Sequence, residues 1–203
     1  MPRPLPPADV PHVGLRERKK LKTRLAIQEH ALRLIREQGY GNTTVEQIAA
    51  AAEVSPSTFF RYFPTKEDVV LFDALDPLLI EAFRRQPAAL SPIGALRSAM
   101  HEVFASMPAA AMTEQRQRGL LVYQVPELQT AWIADLLRTV RVMQGLLGER
   151  LGRPVDDPRL RLYTGAVMGV LMAGMIPILE EPDVDFLRDL GAALDFLEGG
   201  LKL

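Results

Sequence analysis

The sequence predicts an all-α protein in which a small basic N-terminal region precedes a larger acidic one. Apolar residues recur at intervals of three and four along almost the whole chain, which is the helical period, and no stretch favours a strand. Residues 1–66 carry 11 Lys+Arg and 6 Asp+Glu, a net charge of +5, whereas residues 67–203 carry a net −6. A polyanionic partner is therefore expected at one end of the molecule only.

Composition excludes several kinds of site. The chain has no cysteine and only three well-separated histidines, so we predict no disulfide, no metal and no cofactor. No nucleophile–base pair is visible, so an enzyme is not expected. The proline-rich residues 1–14 lack an apolar run, which predicts a disordered arm and a cytoplasmic protein without a signal peptide.

Capping signals define the first two helices. The first is predicted over residues 15–38, with Gly39 as its C-terminal cap. Thr44 caps a short second helix over residues 45–52, and Gln47 completes a capping box with it.

A third short helix follows the turn Glu-Val-Ser. Ser55 is a good N-cap, and Pro56 suits the first helical position. Phe63 precedes a proline, which forces it out of helical geometry and ends the helix. Phe59 and Phe63 face inward, while the outer face presents aromatic, hydroxyl and cationic groups: Ser57, Phe60, Arg61 and Tyr62. Two short helices joined in this way predict a helix-turn-helix, whose second helix can enter the DNA major groove.

Lys66 lies in the first turn of a predicted fourth helix that runs from residue 66 to about residue 85. A cation there opposes the helix dipole, at a cost of about 0.3–1 kcal/mol. A bound phosphate would reverse that sign; pairing of Lys66 with nearby acidic side chains is the alternative. Thr65 caps this helix with Asp68. Its later leucines, which are Leu71, Leu75, Leu78 and Leu79, are expected to pack on the C-terminal core, so that one continuous helix links the two regions.

The remainder of the chain predicts five further helices and about nine in all. They lie at about residues 92–107, 112–124, 126–151, 158–179 and 184–203. The predicted domains are an arm over residues 1–14, a DNA-binding domain over residues 15–66 and a ligand-binding and dimerisation domain over residues 67–203.

Residues 162–179 contain no charge, but three glycines, Pro177 and the lack of a second apolar segment argue against a membrane span. The stripes of small residues and leucines on the last two helices instead predict a two-fold four-helix interface. Its predicted residues are Gly165, Gly169, Ala173, Leu187, Leu190, Gly191 and Leu194. The alternative is that both stripes belong to the internal core.

Seven of the eight methionines lie within residues 100–175, together with aromatic residues on the same helices. Methionine adapts to irregular ligands but also fills ordinary cores. We predict an apolar pocket with few polar anchors, lined by Met100, Phe104, Tyr123, Trp132, Leu136, Met143, Met168 and Met172. His101 is either an anchor of this pocket or a surface residue.

The stretch "TTVEQIAAAAEVSPSTFFRYFPTKEDVV", residues 43–70, resembles the helix-turn-helix of the TetR family of bacterial transcriptional repressors. The resemblance covers about residues 17–72. It implies a homodimer that binds operator DNA, a small-molecule pocket in the C-terminal domain, and release of the DNA when an effector binds.

The resemblance also implies roles for individual residues. Thr44, Tyr62 and Lys66 would contact phosphates, and Ser55, Pro56, Ser57, Thr58 and Phe60 would face base edges or the adjacent backbone. This sequence has Ser57 where glycine is common in the family and Phe60 where tyrosine is common. The third helix has no Asn, Gln or Lys, so bidentate base reading is left to Arg61, with shape readout carrying much of the specificity. The basic segment "LRERKKLKTR", residues 15–24, would flank the groove.

The leading prediction is therefore a ligand-responsive repressor. The alternatives are a DNA-binding regulator without an effector, whether constitutive or architectural, and an activator. An enzyme that uses the C-terminal cavity is the rival from another class.

Overall fold

The computed structural model describes residues 14–180 and 185–201, except for the side chains of residues 178–180. Ten α-helices and no strand lie in this part of the chain, which confirms the all-α prediction. Their bounds are α1 Leu15–Gln38, α2 Val45–Ala51, α3 Pro56–Tyr62, α4 Lys66–Leu71, α5 Asp76–Arg85, α6 Pro92–Phe104, α7 Ala109–Gln124, α8 Pro126–Leu151, α9 Pro158–Glu180 and α10 Phe186–Glu198. All but the last residue of the predicted arm, residues 1–14, lies outside the described residues.

The chain forms two compact units that meet in sequence between Phe72 and Asp73. Unit 1 therefore includes α4, whereas the sequence placed the domain boundary after Lys66. The reason is burial: Val69 and Val70 of α4 are fully buried in unit 1. Gln28 of α1 is also buried and donates to the carbonyl oxygens of Val69 and Phe72 at 2.9 and 2.6 Å, which ties the end of α4 to α1.

The predicted caps of unit 1 are present. The Thr44 hydroxyl accepts the Gln47 N–H in a complete capping box, and Ser55 accepts the Thr58 N–H. Thr65 and Asp68 form a second capping box, with aspartate in the position where glutamate is usual. Phe63 is extended and ends α3, as its place before proline predicts.

The predicted continuous fourth helix is wrong. It is interrupted at residues 72–75, and a separate helix, α5, begins at Asp76. Pro77 is the second residue of α5 and has no N–H to offer the carbonyl of Asp73, so the helical ladder cannot run through this point. The interruption divides the four leucines expected on one helix, because Leu71 ends α4 and Leu75 caps α5.

Unit 2 has its core where α5, α6, α8, α9 and α10 meet. The buried members of this core are Ala82, Phe83, Ile93, Ala95, Leu96, Ala99, Leu146, Leu147, Leu160, Val167 and Leu194. Leu190 is also buried, at 3% exposure. Leu190 and Leu194 therefore face the interior of their own subunit, and their assignment to the dimer interface is wrong.

The close approach of α9 to α10 occurs at Gly174, which the sequence analysis did not single out. A Cβ atom there would lie 3.0 Å from the Ala193 Cβ and 3.4 Å from the Leu190 Cδ1. The predicted contact glycines, Gly165 and Gly169, have no atom within 4 Å of such a Cβ and lie on the exposed side of α9.

Candidate DNA-binding surface and C-terminal site

The outer face of α3 combines an apolar ring, a cation and small hydroxyls. Phe59 and Phe63 are fully buried, as predicted, whereas Phe60 is 50% exposed. Its ring meets that of Phe59 edge-on with centroids 5.5 Å apart, which anchors it in an outward position. Arg61 is exposed, and its guanidinium carbon lies 5.6 Å from the centroid of the Tyr62 ring. The face can therefore offer a cation and an apolar surface to DNA without rearranging its own core.

The hydroxyl groups at the helix starts are partly committed to capping. Ser55 Oγ lies 3.0 Å from both the backbone nitrogen and the hydroxyl of Thr58. Thr44 is exposed, and its Oγ1 accepts the Gln47 N–H at 3.3 Å. Pro56 and Ser57 are exposed.

The turn between α2 and α3 passes through Glu53, whose φ is +54°. This left-handed conformation costs a residue with a Cβ about 1–2 kcal/mol, and glycine or asparagine adopts it more easily. The Val54 N–H reaches back to the carbonyl of Ala49 at 2.9 Å and helps to hold the turn.

Lys66 has partners that the sequence did not indicate. Its Nζ donates to the carbonyl oxygens of Tyr40 and Thr43, each at 3.0 Å, and lies 3.9 Å from the centroid of the Tyr40 ring. Both acceptors are backbone carbonyl oxygens. Against the raising effect of partial burial, the Lys66 charge also helps to lower the pKa of the adjacent Glu67. The phosphate contact of Lys66 stays a prediction.

The basic segment at the start of α1 is largely open to solvent. Arg16, Arg18, Lys19, Lys20 and Lys22 are all exposed. Arg24 departs from this pattern, because its guanidinium carbon lies 4.3 Å from the centroid of the Phe72 ring and 5.1 Å from that of Phe63. Arg24 therefore packs within unit 1.

Few residues of α7 and of the first part of α8 are buried. Leu128 is the only fully buried residue between residues 109 and 145, all of which the structure describes. By contrast, five residues of the shorter helix α6 are buried. Apolar side chains of α7 and the first half of α8 are thus left only half-covered.

The eight predicted pocket residues range from buried to exposed. Met168 is 9% exposed and belongs to the interior, while Met100 and Met143 pack against the core of unit 2. Tyr123 is 42% exposed, and Phe104 contacts Phe186 with ring centroids 4.6 Å apart. The remaining three, which are Trp132, Leu136 and Met172, are half-buried.

Two surface cavities lie elsewhere in unit 2. One of about 290 Å³ is lined by Pro92, Leu151, Arg153, Arg159, Leu160 and Tyr163. The other, of about 270 Å³, is lined by Phe83, Arg84, Gln86, Ala88, Leu146, Glu149 and Arg150. His101, the possible anchor, is exposed on α6.

A polar cluster at the start of unit 2 was missed by sequence reasoning. Arg118 of α7 forms an ion pair with Asp73 and also donates to Gln115 Oε1 at 2.7 and 2.9 Å. Asp73 Oδ1 accepts the Leu75 N–H at 2.9 Å, just before α5 begins. Partial desolvation, together with the nearby Asp73 carboxylate, raises the pKa of Asp76 to about 6.

A row of apolar and small residues lies exposed along α9. Leu162 is 72% and Ile176 is 44% exposed, and Gly165, Gly169 and Ala173 are exposed between them. Phe196 of α10 is 42% exposed. We call the α9 residues from Leu162 to Ile176 on this side the α9 stripe.

Comparison with known proteins assigns the chain to a family. Residues 27–72 match the model described as bacterial regulatory proteins of the tetR family, and residues 90–202 match the model described as the MftR C-terminal domain. The second match alone covers more than half of the 203 residues. The chain belongs to the TetR family of bacterial transcriptional regulators. It is therefore a DNA-binding regulator and not an enzyme, and α3 occupies the recognition-helix position of its helix-turn-helix.

Similar sequences are regulators of this family. The chain is 34% identical over 151 residues to the HTH-type transcriptional regulator TcmR of Streptomyces glaucescens, covering 71% of this chain and 67% of that protein. It is 25% identical over 194 residues to MftR of Mycobacterium tuberculosis, which is named for the regulation of mycofactocin biosynthesis, covering 95% of this chain and 98% of MftR.

Solved structures share the fold. Thermus thermophilus FadR, a TetR family repressor in complex with lauroyl-CoA, matches with a TM-score of 0.58 at 25% identity, covering 89% of this chain and 95% of that one. The fatty acid degradation regulator FadR of Bacillus halodurans matches with a TM-score of 0.56 at 22% identity, covering 89% of this chain and 96% of that one.

Proposed function

We propose that this TetR family regulator is a homodimeric repressor that a small, mostly apolar effector releases from its operator. The observation that carries the proposal is the incomplete core between α7 and α8, where only Leu128 is fully buried over residues 109–145. Half-covered apolar side chains gain free energy when a ligand removes them from water, at about 25 cal/mol per Å². An apolar effector would complete this part of unit 2.

Two further observations support the proposal. A structural relative that is 25% identical, Thermus thermophilus FadR, binds lauroyl-CoA. The Asp73–Arg118 ion pair joins α7 to the first residue of unit 2, so a change in α7 has a direct route to the point where the chain leaves unit 1. The sequence predicted one continuous helix that would transmit such a change between the two regions. The interruption at residues 72–75 excludes that helix.

On this proposal the regulator acts in the cytoplasm on double-stranded operator DNA as a dimer. Its DNA contacts are the exposed face of α3 and the exposed cations of α1. The dimer interface is the α9 stripe, because exposed apolar residues that lie on one side of a helix are of the kind that marks interaction sites.

The chain offers a specific probe for effector binding, because Trp132 is its only tryptophan and is half-buried on α8. We expect a ligand with an apolar chain to shift the Trp132 emission and to weaken binding to a duplex selected by the protein from a random-sequence library. Lauric acid is the first compound to try, and lauroyl-CoA, which adds a polar, anionic group to the same acyl chain, is the second. Linkage requires the same duplex to lower the affinity for the effector by an equal factor, and typical coupling free energies are about 1–3 kcal/mol.

Leu136→Gln tests the location, with exposed Leu137→Gln as its matched control. The first change should weaken effector binding, and the second should not, because Leu137 is 64% exposed whereas Leu136 is half-buried. Equal effector affinity with and without the duplex would favour the second candidate, a regulator whose DNA binding needs no effector.

A further inference from the structure

One of the two surface cavities of unit 2 combines apolar walls with two guanidinium groups. It has a volume of about 290 Å³, and its residues come from the start of α6, the end of α8, the following loop and the start of α9. We call it the α8–α9 cavity. None of its residues lies within residues 109–145 or on the α9 stripe, so it is separate from the effector region and from the dimer interface proposed above. Its lining residues are Pro92, Leu151, Arg153, Arg159, Leu160 and Tyr163.

The loop that carries Arg153 is held close to α8. The Arg153 N–H donates to the carbonyl of Gly148 at 3.0 Å. A Cβ at Gly148 would lie 3.0 Å from the Arg153 carbonyl oxygen and 3.1 Å from Leu160 Cδ2, so glycine permits this close approach. Leu160 is 1% exposed, and Tyr163 packs against the core of unit 2. The cavity wall is therefore formed before any ligand binds.

Arg159 supplies the uncompensated positive charge of this cavity. Its guanidinium has no hydrogen bond or ion pair with any residue that the structure describes. Arg153 is instead paired with Asp157, whose Oδ2 lies 2.6 Å from the Arg153 Nη1. The hydrogen bond from Arg153 and that from the Arg159 N–H hold the pKa of Asp157 below its ordinary value, so this carboxylate is charged at neutral pH. Two cations thus face one anion, and an added anion would be attracted.

Tyr163 supplies a neutral hydrogen-bond donor. Partial burial, together with the nearby Glu198 charge, raises the pKa of Tyr163, so its hydroxyl keeps its proton throughout the neutral range. Glu198 does not line the cavity, and its carboxylate accepts the Ser91 hydroxyl. The Tyr163 hydroxyl makes no hydrogen bond within the described part of the chain, so it can donate to a ligand.

We propose that the α8–α9 cavity binds a small aromatic carboxylate. The planar guanidinium of arginine matches a carboxylate in a bidentate pair and also stacks on aromatic faces. The ring of the ligand would contact the apolar wall formed by Pro92, Leu151 and Leu160. A volume of about 290 Å³ is at the lower end for ligand pockets, which limits the ligand to an acid of one or two rings. The proposal depends neither on the effector nor on the dimer interface proposed above.

Benzoate is the probe, and two compounds separate its charge from its ring. Benzamide has the same shape without the charge, and inorganic phosphate has charge without the ring. The chain has four tyrosines and one tryptophan, so labelling of their rings gives few NMR signals for a titration of the full chain. We expect benzoate to shift the Tyr163 signals and to leave those of Trp132 unchanged.

Both comparison compounds should bind at least about tenfold more weakly than benzoate. Benzamide loses the charge-assisted hydrogen bonds, which are typically worth that factor. Phosphate cannot cover the apolar wall, and about 60 Å² of buried ring surface is also worth about tenfold. Benzamide or phosphate binding as tightly as benzoate would overturn the proposal, as would benzoate shifts at Trp132 instead of Tyr163.

Arg159→Gln tests the location, with Arg161→Gln as its matched control. Both arginines are exposed on α9, but only Arg159 lines the cavity. Arg159→Gln should weaken benzoate binding by about tenfold and Arg161→Gln should not, while Tyr163→Phe, which keeps the ring, should weaken it by about fivefold. Arg159→Gln should also fold normally, because it removes no side-chain contact among the described residues. Wild-type benzoate affinity in Arg159→Gln, or equal losses in the two arginine variants, would show that the cavity is not the site.

Discussion

Replacing Gly169 by leucine tests whether the α9 stripe is the dimer interface. A Cβ at this position has no neighbour within 4 Å in the single chain, and Gly169 is exposed, so we expect the subunit to accommodate the new side chain. Leucine is also a better helix former than glycine by about 0.8 kcal/mol, so the subunit should become slightly more stable. In a two-fold dimer built on the stripe, the same leucine enters the interface twice.

The expected loss of dimer affinity follows from overpacking at the interface. At about 1–3 kcal/mol for each inserted side chain, two copies weaken the dimer by about 2–6 kcal/mol. This corresponds to a dissociation constant between about 30-fold and 10⁴-fold higher. Sedimentation velocity over a concentration series measures the dimer, and urea unfolding at the same concentrations measures the subunit, because dimerisation contributes to apparent stability.

Gly174→Leu is the matched control on the same helix. Its Cβ would lie 3.0 Å from the Ala193 Cβ, so this leucine should separate α9 from α10 and lower the free energy of unfolding by about 1–3 kcal/mol. A Gly169→Leu protein that dimerises as tightly as the wild type would refute the assignment of the interface to the stripe.

Three further predictions concern single residues. Arg61→Ala should weaken DNA binding and relax the preference at one base position by about 1–3 kcal/mol, measured by selection from a random library; an unchanged preferred sequence would mean that Arg61 reads no base. Glu53→Asn should raise the free energy of unfolding by about 0.5 kcal/mol in urea titrations, because asparagine tolerates the positive φ of this turn better than glutamate, and a loss of stability would contradict strain there. The pKa of Asp76 is raised to about 6, so the folded protein holds this proton more tightly than the unfolded chain does. The resulting stabilisation is fully present below the unfolded-state pKa and is lost as the pH rises through 6. Asp76→Asn should therefore add about 1 kcal/mol at pH 7.5, a value reduced for the exposure of this side chain, and nothing at pH 4; an equal gain at both pH values would rule out titration of Asp76 as the cause.

The sequence by itself determined the features of this protein that depend on near neighbours along the chain. The capping boxes at Thr44 and Thr65 and the end of α3 at Phe63 are decided by residues within a few positions of one another. Helical period likewise predicted that Phe59 is buried and Phe60 exposed, because the two side chains lie about 100° apart on one short helix. The local pattern of the helix-turn-helix also carried the resemblance to the family.

Only the tertiary structure decided which side chains contact residues that are distant in the sequence. Lys66 reaches carbonyls 23 and 26 residues away, and Arg118 pairs with Asp73 at a distance of 45 residues, separations that no helical period encodes. The leucine stripe of α10 was visible in the sequence, but its pattern is the same whether it faces its own core or a second subunit. The packing of α9 against α10 at Gly174 resolved this, because it turns Leu190 and Leu194 inward and leaves the α9 stripe exposed.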